Sequence, residues 1–271
     1  MAASFIITMR EGLEAALILG LTLGVLKRTR AQGLSVWVWY GASVAVALSL
    51  AAAAGLNLMG ASMEGAAEEL FEGLTMLLAA GVLTWMIFWL QRQSRVYAAG
   101  IERDVRAAAS HGRRWGLFGI AFFAVLREGV ETALFLTAVA MTSDPGKTLL
   151  GALGGLIVAG LLGWGLYASS IRLNLRLFFQ ITSVLLILFA AGLVGHGVHE
   201  LVEVGWIPAI IDPLWDLNPI LDEGSAVGSI LKALFGYNGN PTFSETIAYL
   251  GYFLLLVVSL RVFTRQPSGE A

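Results

Sequence analysis

The segment FIITMREGLEAAL at residues 5–17 returns as FFAVLREGVETAL at residues 122–134. Each is an apolar run broken by Arg-Glu-Gly-x-Glu: Arg10, Glu11, Gly12 and Glu14 in the first copy, Arg127, Glu128, Gly129 and Glu131 in the second. Phe5 to Met9 aligns with Phe122 to Leu126 without a gap, and Ala16-Leu17 with Ala133-Leu134, so the chain carries an internal repeat. Outward from these two runs lie further apolar stretches of roughly 20 residues, the length that crosses about 30 Å of hydrocarbon as a helix. In all, seven are predicted, at about 4–26, 36–59, 68–90, 116–141, 148–170, 177–198 and 245–263. The expected fold is an all-α integral membrane protein with seven transmembrane helices.

Composition agrees. Of the 271 residues 57% are hydrophobic and 13% charged, and the mean hydropathy is +0.77, against roughly a quarter charged in a soluble domain. A net charge of −2 gives no reason to expect a nucleic-acid partner. With no cysteine, disulfides, thiolate metal sites and cysteine nucleophiles are excluded, so any metal must be held by oxygen or imidazole. The first apolar run starts close to Met1 without a basic leader and outruns a signal-peptide core, which reads as a retained helix.

Basic residues gather on alternate connections. Lys27, Arg28 and Arg30 follow helix 1; Arg92, Arg95, Arg103, Arg106, Arg113 and Arg114 lie between helices 3 and 4; Arg172 and Arg176 separate helices 5 and 6; Arg261 and Arg265 close the last helix. The opposite connections hold only Lys147 and Lys232. Cytoplasmic loops collect Lys and Arg, so the N-terminus is expected outside and the C-terminus in the cytoplasm. Helix 1 then runs inward and helix 4 outward, which makes helices 1–3 and 4–6 inverted copies. Residues 1–271 are read as one membrane domain: a three-helix repeat (1–90), a basic cytoplasmic loop (91–114), a second repeat (115–200), an outer loop (201–244) and a seventh helix (245–265). Inverted repeats in transporters place the substrate site at their interface near the midplane.

Glu11 and Glu14 are three residues apart and share a helix face, while Arg10 and Glu14 are four apart and can pair. Glu14 lies roughly 15 Å deep at 1.5 Å per residue. A charge there costs some 2.5–3.5 kcal/mol on the lenient insertion scale, so six ionisable groups need one another or water. A plainer account makes each Arg-Glu pair a register lock, but that needs one glutamate per helix and leaves two carboxylates over. Four glutamates with two arginines form a cluster of formal charge −2, which a multivalent cation or protons would relieve. All-oxygen ligation suits iron, manganese, magnesium or calcium better than copper or zinc. Gly12 and Gly129 would admit a neighbouring helix or leave backbone near the ion; Gly20 with Gly24 and Gly151 with Gly155 read as helix packing.

Glu64, Glu68 and Glu72 make a stripe entering helix 3, with Glu69 beside them, and His196 and Glu200 sit four apart at the outer end of helix 6, with His199 and Glu203 adjacent. Glu64 and Glu69 read as a solvated helix end; Glu68, Glu72, His196 and Glu200 form a candidate outer capture site for the cation. The 201–244 loop carries Asp212, Asp216, Asp222 and Glu223, and its apolar content predicts short helices.

The paired Arg-Glu-Gly-x-Glu motifs in helices 1 and 4 of a seven-helix chain resemble the oxidase-dependent iron permeases, the fungal Ftr-type and bacterial Efe-type family, over about residues 4–263. The resemblance implies that Glu11, Glu14, Glu128 and Glu131 bind iron inside the membrane, with Arg10 and Arg127 orienting and balancing them. It also implies uptake as Fe³⁺ after a separate extracytoplasmic ferroxidase or peroxidase-type partner has oxidised Fe²⁺, in a bacterial inner membrane, by a transporter with no resident cofactor. The segment Glu68 to Glu72 matches an acidic stretch of that family, whereas Asp222-Glu223 resembles the fungal loop motif only in charge. Alternatives are a permease of the same architecture for lead or manganese and, more distantly, an intramembrane undecaprenyl-pyrophosphate phosphatase. The latter needs a Ser- and Arg-rich phosphate-binding segment that neither repeat carries beside its glutamates.

Overall fold

The computed structural model describes residues 1–110, 112–168 and 174–264, with side chains outside 90–99, 226, 233, 260 and 262–264. The described helices are α1 (Ala2–Arg28), α2 (Ser35–Ala61), α3 (Ala66–Ser110), α4 (Arg114–Thr142), α5 (Pro145–Tyr167), α6 (Leu175–Glu203), α7 (Ala226–Phe235) and α8 (Phe243–Thr264), with a 3-10 turn at Gln32–Leu34. No strand occurs among the described residues. The all-helical expectation holds, and the predicted apolar runs fall one to a helix, in α1 to α6 and α8, although the run 148–170 overshoots α5, which ends at Tyr167, and its last two residues lie outside the described residues. Arg172 and Arg265, used above for orientation, lie outside the described residues, as do the side chains of Arg92 and Arg95.

Among the described residues, four helical stretches are long and apolar enough to cross a membrane: Gln32–Ala61, Ala66–Trp89, Pro145–Tyr167 and Leu175–Glu203. This is a multi-pass membrane protein. The helices α1 and α4 are as long, at 27 and 29 residues, but carry the motif charges inside them; the apolar stretch of α8 is shorter, Phe243–Ser259. Local chemistry sets several boundaries. Asp144 caps α5 by accepting the Lys147 N–H at 2.8 Å, with Pro145 in the first turn, where its missing N–H costs nothing. Ser225 caps α7, and Gly236 ends it in the left-handed region at φ 67°.

The chain divides into two compact units. The first comprises Met1–Ser62 and Val82–Val184. In it α1 packs along α5, α2 along α4, and α1 against α4. A Cβ on Gly41 would strike the Phe118 carbonyl, and one on Gly151 the Met1 carbonyl. A Cβ on Gly129 would meet Ser49, and one on Gly12 would lie 2.9 Å from the Ala159 Cβ. These are matched pairs: Met1 to Phe118 and Gly12 to Gly129 are the same step along the chain, as are Gly41 to Gly151 and Ser49 to Ala159. Thr8 adds a hydrogen bond to the Ala152 carbonyl at 3.0 Å, a polar tie of α1 to α5. One end of this unit is sealed by Val25, Leu26, Val38, Val105, Ala108, Leu117 and Ala121.

The second unit comprises Met63–Gly81 and Leu185–Ala271. Gly73 of α3 and Gly197 of α6 face each other reciprocally: a Cβ on Gly73 would lie 2.9 Å from the Gly197 carbonyl, and one on Gly197 3.0 Å from that of Gly73. The connection from α6 to α8 is ordered by backbone bonds between its two arms, Leu214 N–H to Pro241 O at 2.9 Å and Leu217 N–H to Gly239 O at 2.7 Å. Of the short helices expected there, α7 is found among the described residues.

Candidate ion site

The motif residues come from mid-helix positions of α1 and α4, where the i, i+4 spacing aligns arginine and glutamate on one helix. Arg10 is wholly buried; its Nη1 lies 3.1 Å from Glu11 Oε1 and its Nη2 3.2 Å from Glu14 Oε1. On α4, Arg127 Nε lies 3.0 Å from Glu131 Oε1 and 3.7 Å from Glu128 Oε1. All four glutamates are buried. The two halves meet at the Glu11 and Glu128 carboxyls, which offer ligand atoms within 4.8 Å of each other. Bare carboxylates repel at such range, and a proton or a cation between them would relieve that repulsion.

Glu11, Glu128 and Glu131 each offer a ligand atom within 4.8 Å of the other two, and among the described residues they are the one such group of three. The Oε2 atoms of all three are buried with no hydrogen-bond partner. Their Oε1 atoms face the arginines while the second oxygens stay open. Glu14 stands beside this group, near Glu128 and Glu131, with its Oε1 on Arg10.

The arginines differ in surroundings. Arg10 Nη1 also donates to Met86 Sδ at 3.5 Å, whereas the Arg127 guanidinium lies over the Trp89 ring, 4.3 Å from its centre, and its side chain is 26% exposed. Neither Met86 nor Trp89 was legible as part of the site, since an apolar residue in an apolar helix carries no signal. Gly12 and Gly129 sit against α5 and α2, which is the helix-packing alternative. Gly151 and Gly155 pack on α1 as expected; Gly20 and Gly24 do not, since a Cβ there meets no described atom within 4 Å.

In the second unit, Glu200 lies within electrostatic range of Glu72 and Glu69, and Glu72 within that of Glu68. His196 is buried with its Nδ1 3.0 Å from the Gly192 carbonyl one turn back. His199 lies between Glu203 and Glu245, 3.4 Å from each. Glu245 is buried, and Asn238 Nδ2 donates to each of its two carboxylate oxygens at 3.0 Å. A sequence signal for it existed: Thr242-Phe-Ser-Glu245 has capping-box spacing, and the Glu245 N–H does bond Thr242 Oγ1 at 3.2 Å. That signature predicts a solvated helix start and not a buried carboxylate.

The loop acids are engaged locally. Asp216 accepts the Asn218 N–H, Asp222 accepts the Gly224 N–H, and Glu223 accepts the Gly239 N–H at 2.7 Å and Lys232 Nζ at 2.9 Å. Burial raises the Glu223 pKa, but these two donors outweigh it and hold the carboxyl below its ordinary value.

Comparison with known proteins places these motifs in context. The chain matches the family described as "Iron permease FTR1 family" over residues 1–266. It is 37% identical over 276 aligned residues to "Ferrous iron permease EfeU" of Escherichia coli O6:K15:H31 (strain 536 / UPEC), covering 100% of this chain and 98% of that protein. It is 36% identical over 276 residues to "Ferrous iron permease EfeU" of Yersinia pestis, covering 100% and 96%. No solved structure matches.

Proposed function

The chain belongs to the FTR1 iron permease family, and from that premise we propose that it carries iron, as Fe³⁺, into the cytoplasm through the buried glutamates of α1 and α4. The observation that carries this reading is the group of Glu11, Glu128 and Glu131, whose carboxylates offer ligand atoms within 4.8 Å of one another and each keep one oxygen unpartnered, where burial otherwise makes unpartnered charge costly. Arg10 and Arg127 hold the other oxygens and limit the charge; Glu14 completes the ligand set when an ion is present. The chain spans a bacterial inner membrane seven times, N-terminus outside, as two inverted three-helix repeats plus α8, and the matched glycine contacts support that symmetry. Glu68, Glu72, His196 and Glu200 receive the ion at the outer side. A separate ferroxidase or peroxidase-type protein oxidises Fe²⁺ beforehand, and the permease itself is not an enzyme.

Energetics are favourable without a nucleotide. Three charges moving inward gain about 7 kcal/mol per 100 mV of membrane potential. A second reading, direct passage of Fe²⁺, is favoured by the name the relatives carry and by the cluster charge of −2, which a divalent ion neutralises. Radioactive iron uptake into proteoliposomes, supplied as Fe³⁺ or as Fe²⁺ with and without an oxidase, separates the two. Uptake lost in Glu14→Ala and Glu131→Ala at matched membrane levels supports the ion site. Uptake retained in both sinks it and leaves the motif a register lock. Competition by lead or manganese tests the neighbouring substrates.

A further inference from the structure

A buried guanidinium has five N–H donors in a rigid fork and seeks acceptors for all of them. Arg10 and Arg127 each stand beside carboxylate oxygens that remain open, and a guanidinium that swung onto those oxygens would close the site to any cation. What lies against each arginine instead comes from α3. Met86 offers Arg10 a thioether sulfur at 3.5 Å, and Trp89 offers Arg127 an indole face at 4.3 Å. The two are three residues apart, hence on one face of α3. Both are uncharged and polarisable; a thioether is a weak acceptor and indole the best of the aromatic faces for a cation.

We propose that Met86 and Trp89 are positioning residues for the ion site: they occupy the arginines without consuming carboxylate oxygen, and so keep the Oε2 atoms of Glu11, Glu128 and Glu131 available. The inference rests on reading those glutamates as the ion site. It adds a third helix to a site that the motif alone assigns to two. It also gives the two arginines different freedom: Met86 is fully buried beside the sealed Arg10, whereas Trp89 backs the partly exposed Arg127. The α4 half is therefore the half at which loss of the support matters most.

The test is equilibrium binding of radioactive iron, supplied as Fe³⁺, to purified protein in detergent, which reads affinity per folded molecule, together with KM and Vmax for uptake. Trp89→Leu weakens binding and raises KM roughly five- to tenfold, the size of one partly buried cation–π contact, while Vmax at matched membrane level changes by less than about twofold. Trp89→Phe, which keeps an aromatic face, restores most of the affinity, and Met86→Leu gives a smaller loss. In an Arg127→Gln background Trp89→Leu produces no further change, because its effect passes through that arginine. The proposal is overturned by unchanged affinity in Trp89→Leu, by Trp89→Phe failing as badly as Trp89→Leu, or by an equal loss in the Arg127→Gln background. Glu131→Gln separates the two levels: if it binds iron like wild type the ion-site reading fails, and if it loses binding while Trp89→Leu keeps it, only this inference does.

Discussion

Replacing Arg10 by methionine removes the guanidinium but keeps a long apolar side chain, and the structure fixes how much that should cost. Arg10 and Glu11 have no side-chain exposure, and Glu14 has 10%. Removing one partner of such a buried pair leaves uncompensated charge and costs about 3–5 kcal/mol. At about 2–4 °C per kcal/mol for a chain of this order of size, Arg10→Met lowers the unfolding temperature by roughly 6–20 °C. The equivalent Arg127→Met costs less, about half, because Arg127 is 26% exposed and its pairs with Glu128 and Glu131 are less fully desolvated. The triple variant Arg10→Met, Glu11→Gln, Glu14→Gln recovers most of the loss, since neutral groups replace the whole charged set. Thermal unfolding in detergent, followed by loss of the monodisperse peak in size-exclusion chromatography, measures all three. Equal losses for the two arginine variants, or a loss under about 1 kcal/mol for Arg10→Met, would refute the reasoning.

Glycine substitutions give a steric test: Gly41→Ala and Gly151→Ala each drive a methyl into a facing backbone carbonyl and cost about 1–3 kcal/mol, whereas Gly20→Ala, which meets no described atom within 4 Å, is neutral or stabilising in the same unfolding assay. Among the acids, Glu11→Gln, Glu128→Gln and Glu131→Gln each abolish iron uptake at matched membrane levels, and Glu64→Gln, exposed in the turn before α3, leaves it within about twofold of wild type. The Glu223 carboxyl is held below its ordinary value, so the stability it lends the outer loop is present from neutral pH down through about 4.3 and is lost as pH falls through the lowered value. Hydrogen exchange at the Gly239 amide therefore stays slow from pH 7 to pH 5 relative to its intrinsic rate; Glu223→Gln removes that protection throughout, and equal protection in the two proteins would sink the idea.

The helices were legible because an apolar run of some 20 residues has one simple way to bury its backbone, and six of the seven predicted runs fell within one helix, the run 148–170 alone overshooting the end of α5. The motif was legible because charge inside such a run demands a reason. Geometry within the site was not. Nothing in the repeat distinguishes Glu14 from Glu131, and each pairs with the arginine of its own helix, yet Glu131 and not Glu14 joins Glu11 and Glu128 in the group of three. The repeat also makes the two arginines look equivalent, and they diverge because their neighbours on α3, Met86 and Trp89, belong to no motif. His196 and Glu200 share a spacing that suits joint ligation, but the spacing could not tell that the His196 Nδ1 bonds the carbonyl of Gly192 in its own helix, which leaves Nε2 as the nitrogen for a ligand. Glu245 escaped for a related reason: its capping-box spacing describes the backbone at the helix start and says nothing of where the carboxylate goes.

The matched glycine contacts of the first unit bear on how such a chain could arise. Gly41 meets Phe118 while its repeat partner Gly151 meets Met1, the repeat partner of Phe118, and a contact exchanged in this way is isologous, the kind a two-fold axis generates between identical subunits. A three-helix ancestor that dimerised through these helices before any gene duplication, with one copy inserted upside down relative to the other, would leave this pattern. Fusion would then free each half to diverge, and the sealed Arg10 beside the half-open Arg127 is the kind of asymmetry a homodimer could never fix.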